Sequence, residues 1–408
     1  MSVKTVFSAC AIGEYPYNTP PMTDIEVNTS KLVHTSGFSK GLEGVVAAQT
    51  SLSLVDGINS QLYYRGMKVG DLATKSSFEE TTYLLWYGKL PTSLELKTFS
   101  KLLASYRKVP AEILQLIKKF PKKAHPMASL RTAVSAMAFY DKTADDLSQE
   151  ALKKKAFSLT AAFPTILAAL YRIRLGKSPI APNLKLSHAA NYLYMMTGKK
   201  PSAEMERALD AYLILLADHG LNASTFAARV TCATESDMYS AITSAIGTLK
   251  GSLHGNANQK AMEMILQIKT PQKAEAYVND LLDRKQKVMG FGHRIYKHED
   301  PRATAFRSMA KNLCEKTGQM KWLEISDIVE KIMWNRKQIP CNVDFFSASV
   351  LYILGFPTDF FTTVFAASRV SGWTAHVIEQ LANNRLIRPN AEYTGLVNQS
   401  YTPIESRR

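Results

Sequence analysis

The chain has 408 residues, 46% hydrophobic and 21% charged, an ordinary globular composition that excludes disordered, fibrous and small disulfide-framed classes and leaves room for two domains. Its formal net charge of +15 does not read as nucleic-acid binding. The lysines lie in short scattered groups such as Lys118-Lys119, Lys122-Lys123 and Lys153-Lys154-Lys155, with no DNA-binding motif or aromatic RNA-binding signature beside them.

In chain order, residues 1–40 read as an extended arm, with Pro16, Pro20 and Pro21 and no signal-peptide core. From Ser51 to Arg65 the apolar alternation on both sides of Asp56-Gly57 predicts a short β-hairpin. Helix dominates beyond it. Glu150 to Leu175 is helix-like, with Pro164 as a kink or break, and Glu204 to Leu216 is a second helix that leads directly into His219. Met238, Ala241, Ile242, Ala245, Ile246 and Leu249 share one helical face that ends at Gly251, which puts His254 just past a helix C-terminus. Pairs such as Met195-Met196 and Tyr63-Tyr64 read as core packing. No stretch reads as the ~18 apolar residues of a membrane span. Cys10, Cys232, Cys314 and Cys341 lack paired spacing, which suits a reducing cytoplasm.

Chemistry concentrates in the second half. GSLHGNAN places His254 among glycines, GFGHRIYKHEDPRA does the same for His293, and CNVDFF sets Asp344 in an apolar run. A histidine between glycines is often only a turn residue, and Asp344 by itself reads equally as a helix N-cap. Together they offer two histidines, a carboxylate in a stretch suited to burial, and nearby arginines, a set fit for carbon–carbon bond chemistry on an acidic substrate. A metal centre is not indicated: His293 and His298 are five apart, but no HExxH, CxxC or spaced Cys–His set occurs. Walker A and GxGxxG fingerprints are absent too.

LADHGLNASTFAARV, GSLHGNAN, GFGHRIYKHEDPRA, NVDFFS, ASRVSGWTAHVIEQ and RPNAEYTG, in that order, resemble the citrate synthases from about Gly41 nearly to the C-terminus. The resemblance implies an all-α fold with a minor N-terminal β-hairpin. A large helical domain would comprise residues 41–256 and 356–408, with a small helical domain at 257–355 inserted into it and the site in the cleft between. It implies condensation of acetyl-CoA with oxaloacetate, the coenzyme A thioester being a substrate and no cofactor being needed. Asp344 would remove the methyl proton, His254 would hydrogen-bond the thioester oxygen, and His293 would polarise the ketone. His219, Arg302, Arg369 and Arg388 would hold oxaloacetate, Arg388 from the partner subunit of a homodimer. Val288, Gly290, Gly292 and Lys297 would meet coenzyme A.

Ser252, Asn256 and Gln259 depart from the family's usual GPLHGGANE, and Asn256 puts a side chain where relatives often have none. A scaffold with a decayed site is the non-catalytic alternative, opposed by the intact charged set. Within the family the alternative is 2-methylcitrate synthase, which uses propionyl-CoA. Proline is usual in that enzyme where Arg294 stands.

Overall fold

The computed structural model describes residues 38–293, 295, 296 and 298–407; Lys297 and most of the proposed arm therefore lie outside the described residues. Among these residues there are sixteen α-helices and one small sheet. Residues 48–390 form one compact unit, and 38–47 with 391–407 contribute to a second, smaller one that holds two single-turn helices.

The hairpin is the first two strands of a three-stranded antiparallel sheet: β1 (Ser53–Asp56), β2 (Gln61–Tyr64) and β3 (Met67–Lys68). Asp56 pairs with Gln61, so the turn spans four residues rather than two. The Asp56 carboxylate accepts from the amides of Ile58 and Asn59, which holds the longer loop without the left-handed pair that a tight Asp-Gly turn requires. Gly57 meets Ile295: a Cβ there would lie 2.5 Å from the Ile295 carbonyl oxygen. Ser60 Oγ accepts a hydrogen bond from the amide of Glu299, so the hairpin tip rests on the segment that carries His293.

The helix expected from Glu150 runs Gln149–Arg174 and continues through Pro164. Its residues from Leu159 to Leu170 are buried, and tertiary packing there outweighs the hydrogen bond that proline removes. It is also long and apolar enough to cross a membrane, with a mean hydropathy of 1.4, contrary to the sequence expectation. Of its apolar window 78% is buried inside the protein, as in a core helix.

Capping residues set the starts of the helices that frame the site. Ser202 caps Ala203–Leu216, Asn222 caps Ala223–Ala233, Asp237 caps Met238–Leu249, Asp300 caps Pro301–Thr317 and Asn342 caps Val343–Ile353. The first of these buries every residue from Ala208 to Leu216. The Phe361–Ala382 helix is buried along nearly its whole length, and at Gly372 it comes so close to the chain that a Cβ would lie 2.2 Å from the Ala217 carbonyl oxygen.

Candidate active site

His219 and His254 follow helix ends, Arg302 and Asp344 stand at helix starts and Arg369 lies on a buried helix face. His219 follows the Ala203–Leu216 helix and is 8% exposed. Its ring lies 5.5 Å from that of His293, and its Nε2 is 3.1 Å from the Tyr296 hydroxyl. His293 Nδ1 accepts from the amides of Ile295 and Tyr296 at 3.0 and 3.1 Å. Both of those donors are fixed backbone N–H groups, so the ring proton belongs on Nε2, where it can be donated to a ligand.

Burial, with Arg302 next in effect, pushes the His293 pKa down to about 4. Burial and then the charges of Arg302 and Arg369 take His219 well below the ordinary histidine range. Both rings are neutral donors at pH 7.

His254 follows the Met238–Leu249 helix, as its sequence position predicts. Its Nε2 is 2.9 Å from Ser224 Oγ. That oxygen also accepts from the Trp373 indole at 3.2 Å and reaches Asn222 Oδ1 at 2.8 Å. The Ser224 hydroxyl therefore has one proton and two acceptors. Asn222 Oδ1 can only accept, so here the proton goes to it and His254 Nε2 donates to Ser224; donation to a ligand from His254 Nδ1 requires the Ser224 hydroxyl to turn to Nε2. Burial, then Arg369, takes the His254 pKa to about 4.

The altered loop is accommodated. Asn256 has φ −96° rather than a left-handed angle, and its Oδ1 accepts from Thr362 at 3.1 Å. Gln259 donates to Glu263 at 2.8 Å along its own helix.

Asp344 is the second residue of the Val343–Ile353 helix, and the capping role belongs to Asn342, which accepts from the Asp344 amide at 3.0 Å. Residues 290–292 run antiparallel to 340–342: Gly292 N donates to Pro340 O, Asn342 N to Gly290 O and Asn342 Nδ2 to Gly292 O. His293 and Asp344 thus leave one pair of joined segments. Gly290, at φ +87°, packs so tightly that a Cβ would lie 2.8 Å from Phe345 Cβ. Val288 is buried just before it. Burial raises the Asp344 carboxyl to about 6, with Arg302 and Arg369 pulling the other way. A carboxyl in that range is an effective base at neutral pH.

Arg302 is buried and grips Asp300 through two hydrogen bonds of 2.9 and 2.8 Å. Burial alone would raise the Asp300 carboxyl, but Arg302 outweighs it and holds the group below its usual range. Asp300 also accepts from the Val343 amide at 3.1 Å, tying this pair to the Asp344 helix.

Arg369 is buried, donates to the Leu216 carbonyl at 2.7 Å and stacks on Phe365. Burial takes its pKa down to about 10, offset in part by Asp218. Arg388 is exposed, on the segment after the last long helix. Among the described residues no group of three or more His, Cys, Asp or Glu side chains is placed to hold a metal.

His219, His254, His293, Arg302, Arg369 and Asp344 therefore form one electrostatically linked group, with two buried cations and one half-buried base. Sequence reasoning missed Ser224, Asp300, Tyr296 and Asp218. The first two carry a readable signal, Asn222-Ala223-Ser224 and Asp300-Pro301 being helix starts. The roles of Tyr296 and Asp218 come only from packing.

Comparison with known proteins gives a consistent result. Residues 41–390 match the family described as citrate synthase, C-terminal domain. Citrate synthase 2 of Bacillus subtilis is 48% identical over 90% of this chain and 99% of its own. A 2-methylcitrate synthase of Corynebacterium glutamicum is 44% identical over 91% of this chain and 99% of its own. A citrate synthase structure from Thermoplasma acidophilum, a ternary complex with carboxymethyl coenzyme A and oxaloacetate, superposes with a TM-score of 0.85 at 36% identity, covering 91% of this chain and all of that one.

Proposed function

Because this chain belongs to the citrate synthase family, we propose that it condenses acetyl-CoA with oxaloacetate and water to give citrate and coenzyme A, the entry step of the tricarboxylic acid cycle. The observation that carries this reading is a half-buried base, Asp344, its carboxyl raised to about 6, sharing one site with two buried guanidinium groups and three neutral histidines. Oxaloacetate has two carboxylates for Arg302 and Arg369, a geometry that guanidinium groups favour. His219 and His293 stand beside them, and the Nε2 proton of His293 meets the ketone oxygen.

Asp344 takes a proton from the methyl group of acetyl-CoA. The pair of electrons left behind moves toward the thioester oxygen, where His254 donates a hydrogen bond from Nδ1 once the Ser224 hydroxyl turns to its Nε2. Preorganised donors of this kind are worth about 3 kcal/mol or more in a water-poor site. The enol carbon attacks the ketone carbon polarised by His293, the ketone oxygen takes up a proton, and water then cleaves the citryl thioester.

Coenzyme A lies along Val288, Gly290 and Gly292 in this reading, with Lys297 as a cationic contact. The working unit is a homodimer to whose partner site the exposed Arg388 contributes. Residues 41–256 with 356–408 serve as the large domain and 257–355 as the small one. Three free, buried cysteines, Cys232, Cys314 and Cys341, fit the cytoplasmic location we assign it.

The test is thiol release by purified protein with oxaloacetate and either acetyl-CoA or propionyl-CoA at matched concentrations. Preference for acetyl-CoA supports the reading. Preference for propionyl-CoA replaces it with 2-methylcitrate synthesis, since one methylene in a pocket changes discrimination by only ~1–3 kcal/mol. Release with neither, from folded protein, removes the catalytic reading.

A further inference from the structure

Behind His219 lies a buried polar chain that takes no part in the reaction as derived. The Asp218 carboxylate is completely buried and receives the hydroxyl of Ser53, the Gly220 amide at 3.3 Å and the His376 ring, whose Nε2 lies 3.2 and 3.3 Å from its two oxygens. His376 is itself completely buried. Its other nitrogen, Nδ1, is 3.0 Å from an Arg229 guanidinium nitrogen. A guanidinium only donates, so Nδ1 accepts, and the ring proton sits on Nε2 and points at Asp218. Arg229 is held in turn by Gln380 at 2.9 Å and Glu379 at 2.8 Å, and Glu379 accepts from the Ser51 amide at 2.8 Å.

The near end of this chain fixes the backbone on both sides of His219. Asp218 N donates to the Tyr64 hydroxyl at 3.1 Å, and that hydroxyl donates to Asp218 O at 2.8 Å. On the far side, Ser53 Oγ accepts from Gly220 N at 2.9 Å. Gly220 has φ +57°, a conformation that the surrounding contacts must hold.

We propose that His376 is a positioning residue for His219: by accepting from Arg229 and donating to Asp218, it locks the 218–220 turn in the one shape that aims His219 at the dicarboxylate substrate. The proposal rests on the reading of His219 as an oxaloacetate contact.

Glutamine offers the same pair of functions, an oxygen that accepts from Arg229 and an N–H that donates to Asp218, whereas leucine fills similar space with neither. His376→Gln is expected to keep the calorimetric oxaloacetate Kd, and the oxaloacetate KM, within about threefold of wild type, while His376→Leu weakens both by about tenfold or more, with kcat reduced less, since a hydrogen bond to a buried charge is lost. Ser53→Ala, a small change on the edge strand β1, removes a second Asp218 donor and is expected to weaken oxaloacetate by about threefold.

An oxaloacetate Kd within twofold of wild type in folded His376→Leu, or glutamine as damaging as leucine, overturns the proposal. If the leucine variant does not fold, an unchanged Kd in Ser53→Ala does so instead. Thiol release by the wild-type protein tests the underlying reaction separately, so failure of that reading is seen in wild type and failure of the positioning role only in the variants.

Discussion

At the scale of single residues, the site works by holding protons in fixed places. The Ser224 hydroxyl donates to Asn222 and, turned to His254 Nε2, would hold the histidine's proton on Nδ1, so removing it takes that donor away. Ser224→Ala is expected to lower kcat by about ten- to a hundredfold with little change in the oxaloacetate KM, because the interaction is used in the transition state; steady-state kinetics would show it, and an unchanged kcat would remove Ser224 from the mechanism. Asp344 makes a second prediction. Its carboxyl is raised to about 6 from an ordinary 3.8, chiefly by burial, so log kcat/KM should climb with pH and level off near 6. The same shift means that the folded state prefers the protonated form, and stability attached to this group is lost as pH rises from about 4 to about 6. Asp344→Asn should therefore raise thermal stability at pH 7 by about 1 kcal/mol or more, while lowering kcat by about a thousandfold. Calorimetric melting beside a rate assay reads both, and a destabilised variant would contradict the burial argument.

At the scale of elements, helix ends and one short antiparallel pairing build the site. Caps at Asn222, Asp300 and Asn342 start three helices close to Ser224, Arg302 and Asp344, and these positions are legible in the sequence because cap chemistry is local. The pairing of 290–292 with 340–342 is not legible, since it joins residues about fifty apart and depends on Gly290 lying against Phe345. Gly290→Ala combines a left-handed backbone angle with a contact of 2.8 Å and should cost about 2–4 kcal/mol of stability. It should also lower kcat by about tenfold or more, through displacement of the Asp344 helix relative to His293. A variant with wild-type melting and turnover would show the close approach to be dispensable. The four-residue hairpin loop and the unbroken helix through Pro164 teach the same lesson: a turn dipeptide and a proline state local preferences, and contacts made elsewhere outweigh them.

At the scale of the whole molecule, the proposed substrate groups come from distant stretches of chain. His219 and His254 come before residue 257, His293, Arg302 and Asp344 fall within 257–355, and Arg369 comes after it. The hairpin tip meets this middle stretch at Ile295 and Glu299. A dicarboxylate held by Arg302 and Arg369 would bridge the two domains we assign, so oxaloacetate should bind first. Titration with an unreactive coenzyme A thioether should give a Kd about tenfold or more tighter in the presence of oxaloacetate; equal affinity with and without it would speak against a site completed by closure. From the chain alone came the helical class, the short hairpin and the candidate reactive side chains, because composition, periodicity and ordered motifs are properties of the chain. Only the tertiary structure decided which of those side chains are buried, which tautomers they hold and how Asp218 and His376 support His219, because burial and hydrogen-bond partners arise when residues remote in sequence share one dry interior.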